Sequence, residues 1–265
     1  MGIIVKFIAK NIIEKKLRTF LILFSIMISS ALFFASSAIS DSFAKMYVER
    51  MKQYYGTADI MISSNEKSPT STFYTHKAES MKDQLDYVVG SIQSSATYKY
   101  KERETLNISV RGFNLEGLQS MSPVFFESQS NLYPFEGKKL IISNNTANKY
   151  DISSGEVIDL DFNGRKHKFV VSGICHAVGP FANETSSSYA ILPLDTLGSI
   201  YNVRGKVTVA YIKPKKRENI PQIIDQLSKE YDRYTVRETI SKEEMNRRSS
   251  EMSTPFMLMT FIVCF

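Results

Sequence analysis

"KKLRTFLILFSIMISSALFFASSAISDSF", residues 15–43, decides how the rest of this 265-residue chain is read. Residues 19–40 carry no charge. As an α-helix they reach about 33 Å, enough for a hydrocarbon core of about 30 Å. Eleven of them are Leu, Ile or Phe, each favourable by roughly 0.3–0.6 kcal/mol at a helix centre. A secretory leader has a shorter apolar core, about 7–15 residues. The ending "ASSAIS" (35–40) still offers small residues that a signal peptidase accepts, so cleavage stays open beside a retained span. Ser25/Ser29 and Ala31/Ala35 are spaced small-xxx-small, which lets a second helix approach closely. Chance placement against lipid is the other reading of the same residues.

The flanks set an orientation. Lys6, Lys10, Lys15, Lys16 and Arg18 precede the stretch, against Glu14 alone. After it, Asp41, Lys45, Glu49, Arg50 and Lys52 nearly balance. The positive-inside rule then predicts a cytoplasmic N-terminus and an extracytoplasmic side from residue 41 onward. The formal charge of +6 has the same origin: residues 1–18 hold +4 of it. A nucleic-acid binder would carry its basic patch on the folded domain, and this surplus sits beside an apolar helix.

Both ends of the chain fit a membrane protein. "IIVKFIAKNII" (3–13) places Ile4, Phe7, Ile8 and Ile12 at helical spacing. That suits an amphipathic helix on the inner membrane surface, or one packed on a neighbouring protein. "STPFMLMTFIVCF" (253–265) turns apolar after Thr254 and stays so to the last residue. It reads as the first half of a second membrane helix, with a buried core helix as the alternative. The expected organisation is a cytoplasmic amphipathic segment (1–18), a transmembrane helix (19–40), a stalk helix (41–56) and an extracytoplasmic domain (57–240). A second stalk helix (241–253) and the start of a second span (254–265) follow.

"DSFAKMYVERMKQYY" (41–55) continues the helical pattern, and Gly56 ends it. In "SKEEMNRRSSEM" (241–252), Ser241 and Glu244 fit a capping box. Inside the domain, "ADIMIS" (58–63) reads as a strand, "KAESMKDQLDYVV" (77–89) as a helix and "SATYKYKE" (95–102) as a strand. Later, "KVTVAYIK" (206–213) is a strand, "RENIPQIIDQLSKEY" (217–231) a helix and "RYTVRE" (233–238) a strand. Two βαβ units with an interruption match a split ferredoxin-like arrangement. The interruption, about 103–204, is strand-rich: 105–113, 138–143, 156–162, 166–174 and 187–193 all alternate and favour β-branched residues. Asn163-Gly164 between two of these runs signals a hairpin. "NNTANKYDI" (144–152) reads as a short helix and "NEKSPTST" (65–72) as a loop. The fold class is therefore α+β, with a mixed α/β domain between membrane helices.

Catalytic chemistry finds no foothold in these residue types. No phosphate-binding loop, G-x-S-x-G elbow or H-E-x-x-H motif occurs. Cys175 and His176 are adjacent, so in a strand they point to opposite faces and form a poor clamp for one metal. Cys175 and Cys264 form no disulfide framework, and Cys175 reads as a small buried hydrophobe. Asp159 and Asp161 share one strand face that reads as solvated. Tyr98 and Tyr100 also share a face, for sheet packing or for stacking on a ligand. We therefore assign no catalytic, cofactor-binding or metal-binding residue.

The ordered pieces resemble the permease subunits of MacB/FtsX-type ABC transporters. "AKNIIEKKLRTFLILFSIMIS" (9–29) looks like that family's opening, where a K-x-R-T/S stretch runs into the first span. "VRGFNLEG" (110–117) resembles its strand ending in a v-x-G turn. "KKLIISNNTANKYDISSGEVIDLDFNGRKHKFVVSGI" (138–174) resembles its run of strand, short helix, G-[DE]-x-I turn, hairpin and f-x-V-x-G-I strand. "SSYAILPLDTL" (187–197) resembles its vfvPl strand and following helix.

The resemblance implies a four-helix permease whose large domain lies between the first two spans. It implies a separate cytoplasmic ABC ATPase, which holds ATP and magnesium, and no cofactor on this chain. A second permease copy or homologue and the lipid bilayer are the other implied partners, with no nucleic acid. Substrates in such a family are peptides, lipoproteins or antibiotics. Mechanical coupling would then use Lys15, Lys16, Arg18, Ser25, Ser29, Ala31 and Ala35 in and beside the membrane, and Phe43, Tyr47 and Met51 on the stalk. A two-span receptor, such as a chemoreceptor or sensor kinase, shares this topology. A secreted or anchored enzyme with an unrecognised site is a third reading.

Overall fold

The computed structural model describes residues 2, 15–100, 104–182, 184, 187–241, 247, 250, 251, 254, 255 and 258. The chain divides into two units, 1–48 with 242–265, and 49–241. The amphipathic segment, the second stalk helix and the second span expected from the sequence fall largely outside the described residues.

The first unit is represented by most of α1, Lys16–Tyr55, a helix of 40 residues. No Gly or Pro interrupts it, so no residue in it carries the large interior penalties of those two. Its apolar side chains, among them Phe20, Ile22, Phe24, Met27 and Phe33, are exposed around the whole circumference. A helix apolar all round needs a nonpolar surrounding. By length and composition α1 can cross a membrane. Ser30 Oγ donates to Ile26 O at 2.8 Å and Ser42 Oγ to Ala38 O at 2.8 Å, so these hydroxyls are satisfied by their own helix.

Among the described residues, the second unit is built on ten strands. Its first part is an antiparallel sheet in the order β10-β1-β9-β2, with β1 at Ile60–Ser63, β2 at Leu85–Tyr100, β9 at Val209–Pro214 and β10 at Thr235–Glu238. That is the strand order of a split βαβ pair. The helix α6, Ile220–Glu230, covers it. Ile223 and Leu227, one turn apart, are fully buried with Ile60, Ile62, Ala210 and Ile212.

The first helical connection differs from the sequence reading. Only α2, His76–Glu79, is helical, and β2 starts at Leu85, inside the helix expected over 77–89. Leu85, Val88 and Val89 satisfy a helical period and a strand alike. Pairing with β9 from Leu85↔Pro214 to Ser91↔Val209 supplies a ladder that a helix would forgo, and β-branched valines fit it. The strand expected at 95–102 is the second half of the same β2.

At Ser91/Ile92, β2 changes partner from β9 to β3, Glu104–Phe113. The second part of the domain therefore begins inside β2. Its strands are β3, β8 (Ser188–Pro193), β5 (Lys139–Ser143), β7 (Arg165–Cys175), β4 (Phe126–Gln129) and β6 (Val157–Phe162). Pairings β2-β3-β8-β5-β7-β6-β2 close a ring. Closure removes the exposed edges of these six strands. Ile108, Val110, Leu140, Ile142, Leu160, Phe169, Val171 and Leu192 fill the core associated with them. The Asn163-Gly164 turn has φ +52° and +84°, the doubly positive geometry of a type I′ hairpin.

Three short helices complete this part: α3 (Leu115–Met121), α4 (Asn144–Tyr150) and α5 (Leu194–Ile200). Asn114 caps α3 through its side chain, and Ser143 caps α4. The α3 helix was not expected from the sequence. Tyr98 and Tyr100 both pack edge-on against Tyr150, at 6.4 and 5.2 Å between ring centroids.

A candidate coupling joint at the end of α1

The last turn of α1 and the residues after it belong to the second unit and pack within it. Gly56 ends the helix at φ +58°, the left-handed conformation that favours glycine after a helix. Space there is as restrictive as conformation. A Cβ on Gly56 would lie 2.0 Å from Met121 O and 2.7 Å from Met121 C. That same carbonyl accepts a hydrogen bond from Thr57 N at 2.8 Å. Ser122 Oγ reaches back to Gln53 O at 3.2 Å. The end of α3 thus clasps the end of α1.

Arg111 makes a second attachment. It lies in β3 and is 7% exposed. Its guanidinium carbon is 4.1 Å from the Tyr54 ring centroid and 4.7 Å from that of Tyr189, and Nη1 donates to Pro180 O at 3.4 Å. Among the described residues no carboxylate makes a salt bridge with it. Two aromatic faces and one carbonyl carry the burden of a buried cation. Each desolvated cation–π contact contributes about 1–2 kcal/mol, and Arg is suited to such stacking because it is weakly hydrated and planar.

Aromatic packing continues inward. Tyr55 sits 6.1 Å from Tyr211, which stacks on Phe113 at 6.4 Å and receives Gln93 Nε2 at 3.0 Å. Burial pushes Tyr54 and Tyr211 above the ordinary tyrosine range, although Arg111 pulls both down. Burial likewise pushes Tyr87 up to about 12, against a lowering hydrogen bond with Thr57; the two hydroxyls are 2.7 Å apart. At neutral pH these phenols are uncharged ring faces and hydrogen-bonding groups.

The chain leaves the domain beside its point of arrival. Thr239 N donates to Asp59 O at 2.9 Å, and the buried Thr239 Oγ1 donates to Ala58 O at 2.8 Å. Asp59 also pairs with Lys213 at 2.7 Å and with Arg217 at 3.4 Å. Arriving residues 57–60 and departing residues 238–239 are thereby fastened together, next to the β1–β10 pairing.

Of the residues singled out from the sequence, Lys16, Arg18, Ser25, Ser29, Ala31 and Ala35 lie on α1, and Lys15 lies in the turn just before it. Phe43, Tyr47 and Met51 follow one another at four-residue steps along α1. Sequence reasoning missed Arg111, Tyr54 and Tyr211. One signal was available: Arg111 interrupts a run of residues, Val110 to Phe113, that are otherwise apolar or small. Asp159 and Asp161 lie on the outer face of β6, opposite Lys168 and Lys166 of β7.

Comparison with known proteins places this architecture. The profile of the MacB-like periplasmic core domain matches residues 19–230. Among solved structures, the extracellular domain of the noncanonic ABC-type transporter YknZ from Gram-positive bacteria is similar, with TM-score 0.49 and 16% identity. The match covers 68% of this chain and 98% of that one. The periplasmic region of MacB from Actinobacillus actinomycetemcomitans is similar with TM-score 0.49 and 8% identity, covering 71% of this chain and 92% of that one. No curated protein matches significantly.

Proposed function

This chain belongs to the MacB-like periplasmic core domain family, and we propose from that premise that it acts as a mechanical coupling subunit. It is a membrane protein carrying the extracytoplasmic domain of an ABC-type transporter permease. On the proposed reading the N-terminus is cytoplasmic, as the basic flank before residue 19 favours. A separate ATPase, holding ATP and magnesium, drives the membrane helices from that side. This chain supplies no catalytic group of its own. A second permease subunit completes the assembly, and the movement serves export, extraction or a response to antimicrobial peptides.

One observation carries the reading. The helix α1 runs unbroken from Lys16 to Tyr55 and ends in the clasp formed by Gly56, Met121, Ser122 and Arg111. A helix without a break transmits axial displacement, because every residue is held by bonds along the axis. The clasp then prevents the displacement from being lost in a loose linker. A two-span receptor has no comparable support once the family is established.

Val48→Pro tests this. Proline there removes one helical hydrogen bond and clashes with the preceding turn, costing about 3 kcal/mol. In the full-length permease with its ATPase, we expect ATP-driven function to collapse while circular dichroism and protease resistance of the outer domain are kept. Unchanged function would remove the mechanical role from α1. Failure to recover any ATPase subunit with tagged permease from membranes would remove the partner.

A further inference from the structure

Arg111 has more hydrogen-bonding capacity than the protein around it uses. A guanidinium carries five N–H donors and no acceptor. This one is 7% exposed, and its one hydrogen bond to a described residue runs from Nη1 to Pro180 O, at the long distance of 3.4 Å. Tyr54 and Tyr189 stabilise the charge through their ring faces. A ring that attracts the cation in this way leaves the N–H groups in the guanidinium plane unused. Nε and Nη2 therefore keep their donors, with no acceptor among the described residues.

Those donors are not sealed in. Among the described residues, the buried side-chain atoms that lack both solvent and a partner are Ser91 Oγ, Asn144 Oδ1 and Ser154 Oγ. The Arg111 nitrogens are absent from that group, so the unused side of the guanidinium reaches solvent. No carboxylate is there to meet it. None makes a salt bridge with Arg111 among the described residues. Arg111 is also the one described residue charged at neutral pH that acts on the phenols of Tyr54 and Tyr211. Buried charges are ordinarily paired. Here the pairing edge is left whole: Nε–H and one Nη2–H lie parallel, spaced to meet two oxygens of one carboxylate or phosphate group.

We propose that the Nε–Nη2 side of Arg111 binds a small oxyanion, a carboxylate or a phosphate group, in the plane of the guanidinium. Two charge-assisted bonds hold the ligand, and the Tyr54 and Tyr189 rings hold the guanidinium. Tyr54 belongs to the last turn of α1, so ligand binding also tightens the attachment of that turn. The site stands on the geometry of the joint and does not require the coupling role.

The test uses the full chain in zwitterionic lipid nanodiscs. Sodium acetate or sodium phosphate is titrated in at constant ionic strength, set with sodium chloride, and followed by calorimetry with empty nanodiscs subtracted. Saturable binding with a half-point of about 1–10 mM is expected from two charge-assisted bonds after the cost of association. Saturation by acetate alone names a carboxylate ligand, by phosphate alone a phosphate group, and by both in competition an oxyanion of either kind; each supports the site. Arg111→Met removes the fork, and Arg111→Lys keeps a charge without it. Each should bind at least about tenfold more weakly. In the parent protein, hydrogen exchange at the Tyr54 and Tyr55 amides should slow about tenfold at ten times the half-saturating concentration. If neither variant keeps the parent's circular dichroism, the parent's titration and exchange decide. No saturable binding below about 100 mM, equal binding by a folded Arg111 variant, or unchanged exchange overturns the proposal. No ATPase takes part, so its failure would leave the coupling role untouched, and failure of coupling would leave the anion site untouched.

Discussion

Gly56→Ala is the sharpest perturbation the joint allows, because one methyl group meets two obstacles. The φ of +58° costs an L-residue about 1–2 kcal/mol. The new Cβ would also stand 2.0 Å from Met121 O, and a backbone carbonyl cannot rotate away as a flexible side chain could. Either α1 or the end of α3 must shift. The shift breaks or stretches the 2.8 Å bond from Thr57 N to Met121 O, worth about 0.5–1.5 kcal/mol net. The combined loss is about 1.5–3.5 kcal/mol, concentrated at the clasp. Hydrogen exchange at the Thr57 amide reads it locally, and urea unfolding of the outer domain reads it globally. We expect the Thr57 amide to lose at least about 1.4 kcal/mol of protection, a tenfold faster exchange. A G56A protein that unfolds within about 0.5 kcal/mol of the parent, with Thr57 equally protected, would refute the argument that glycine pins this joint.

Two further outcomes follow from the same region. Arg111→Lys should destabilise the domain by about 1–3 kcal/mol more than Arg111→Met does. Lysine leaves a strongly hydrated cation buried between two rings, whereas methionine fills the slot without a charge; equal effects in chemical denaturation would reject the cation–π account. Stability should fall as pH rises from about 10 towards 12: Tyr87 is held protonated in the fold up to about 12, whereas the unfolded phenol ionises near its ordinary 10.0. Above that ordinary value the unfolded state binds fewer protons, so deprotonation favours unfolding. Tyr87→Phe should flatten this alkaline slope in a pH series of urea midpoints, and an unchanged slope would assign it to other groups.

Much of the fold was legible because it rests on local periodicity. The apolar run at 19–40, the Gly56 stop and the Asn163-Gly164 hairpin each depend on a few neighbouring residues, and each is found. The stretch 77–89 was not legible. Its apolar residues satisfy both periods, and only pairing with β9, about 120 residues away, selects the strand. Closure of the six-stranded ring through Thr97↔Asp161 and Tyr98↔Leu160 was hidden for the same reason. Arg111 was passed over because a cation inside a strand says nothing of which rings lie above and below it. Tyr54 is 57 positions away and Tyr189 is 78.

The sequence by itself determined the kind of protein this is. A charge-free run long enough for a bilayer and an alternating domain after it depend on composition and spacing, and the family match over residues 19–230 agrees with them. Only the tertiary structure decided how the long helix is fastened to its domain. The fastening depends on the Met121 carbonyl, the Tyr54 and Tyr189 rings and the Thr239 hydroxyl, which come from separate parts of the chain. Close steric contact and cation–π attraction act over a few ångströms, and chain order does not reveal which distant residues will meet at that range.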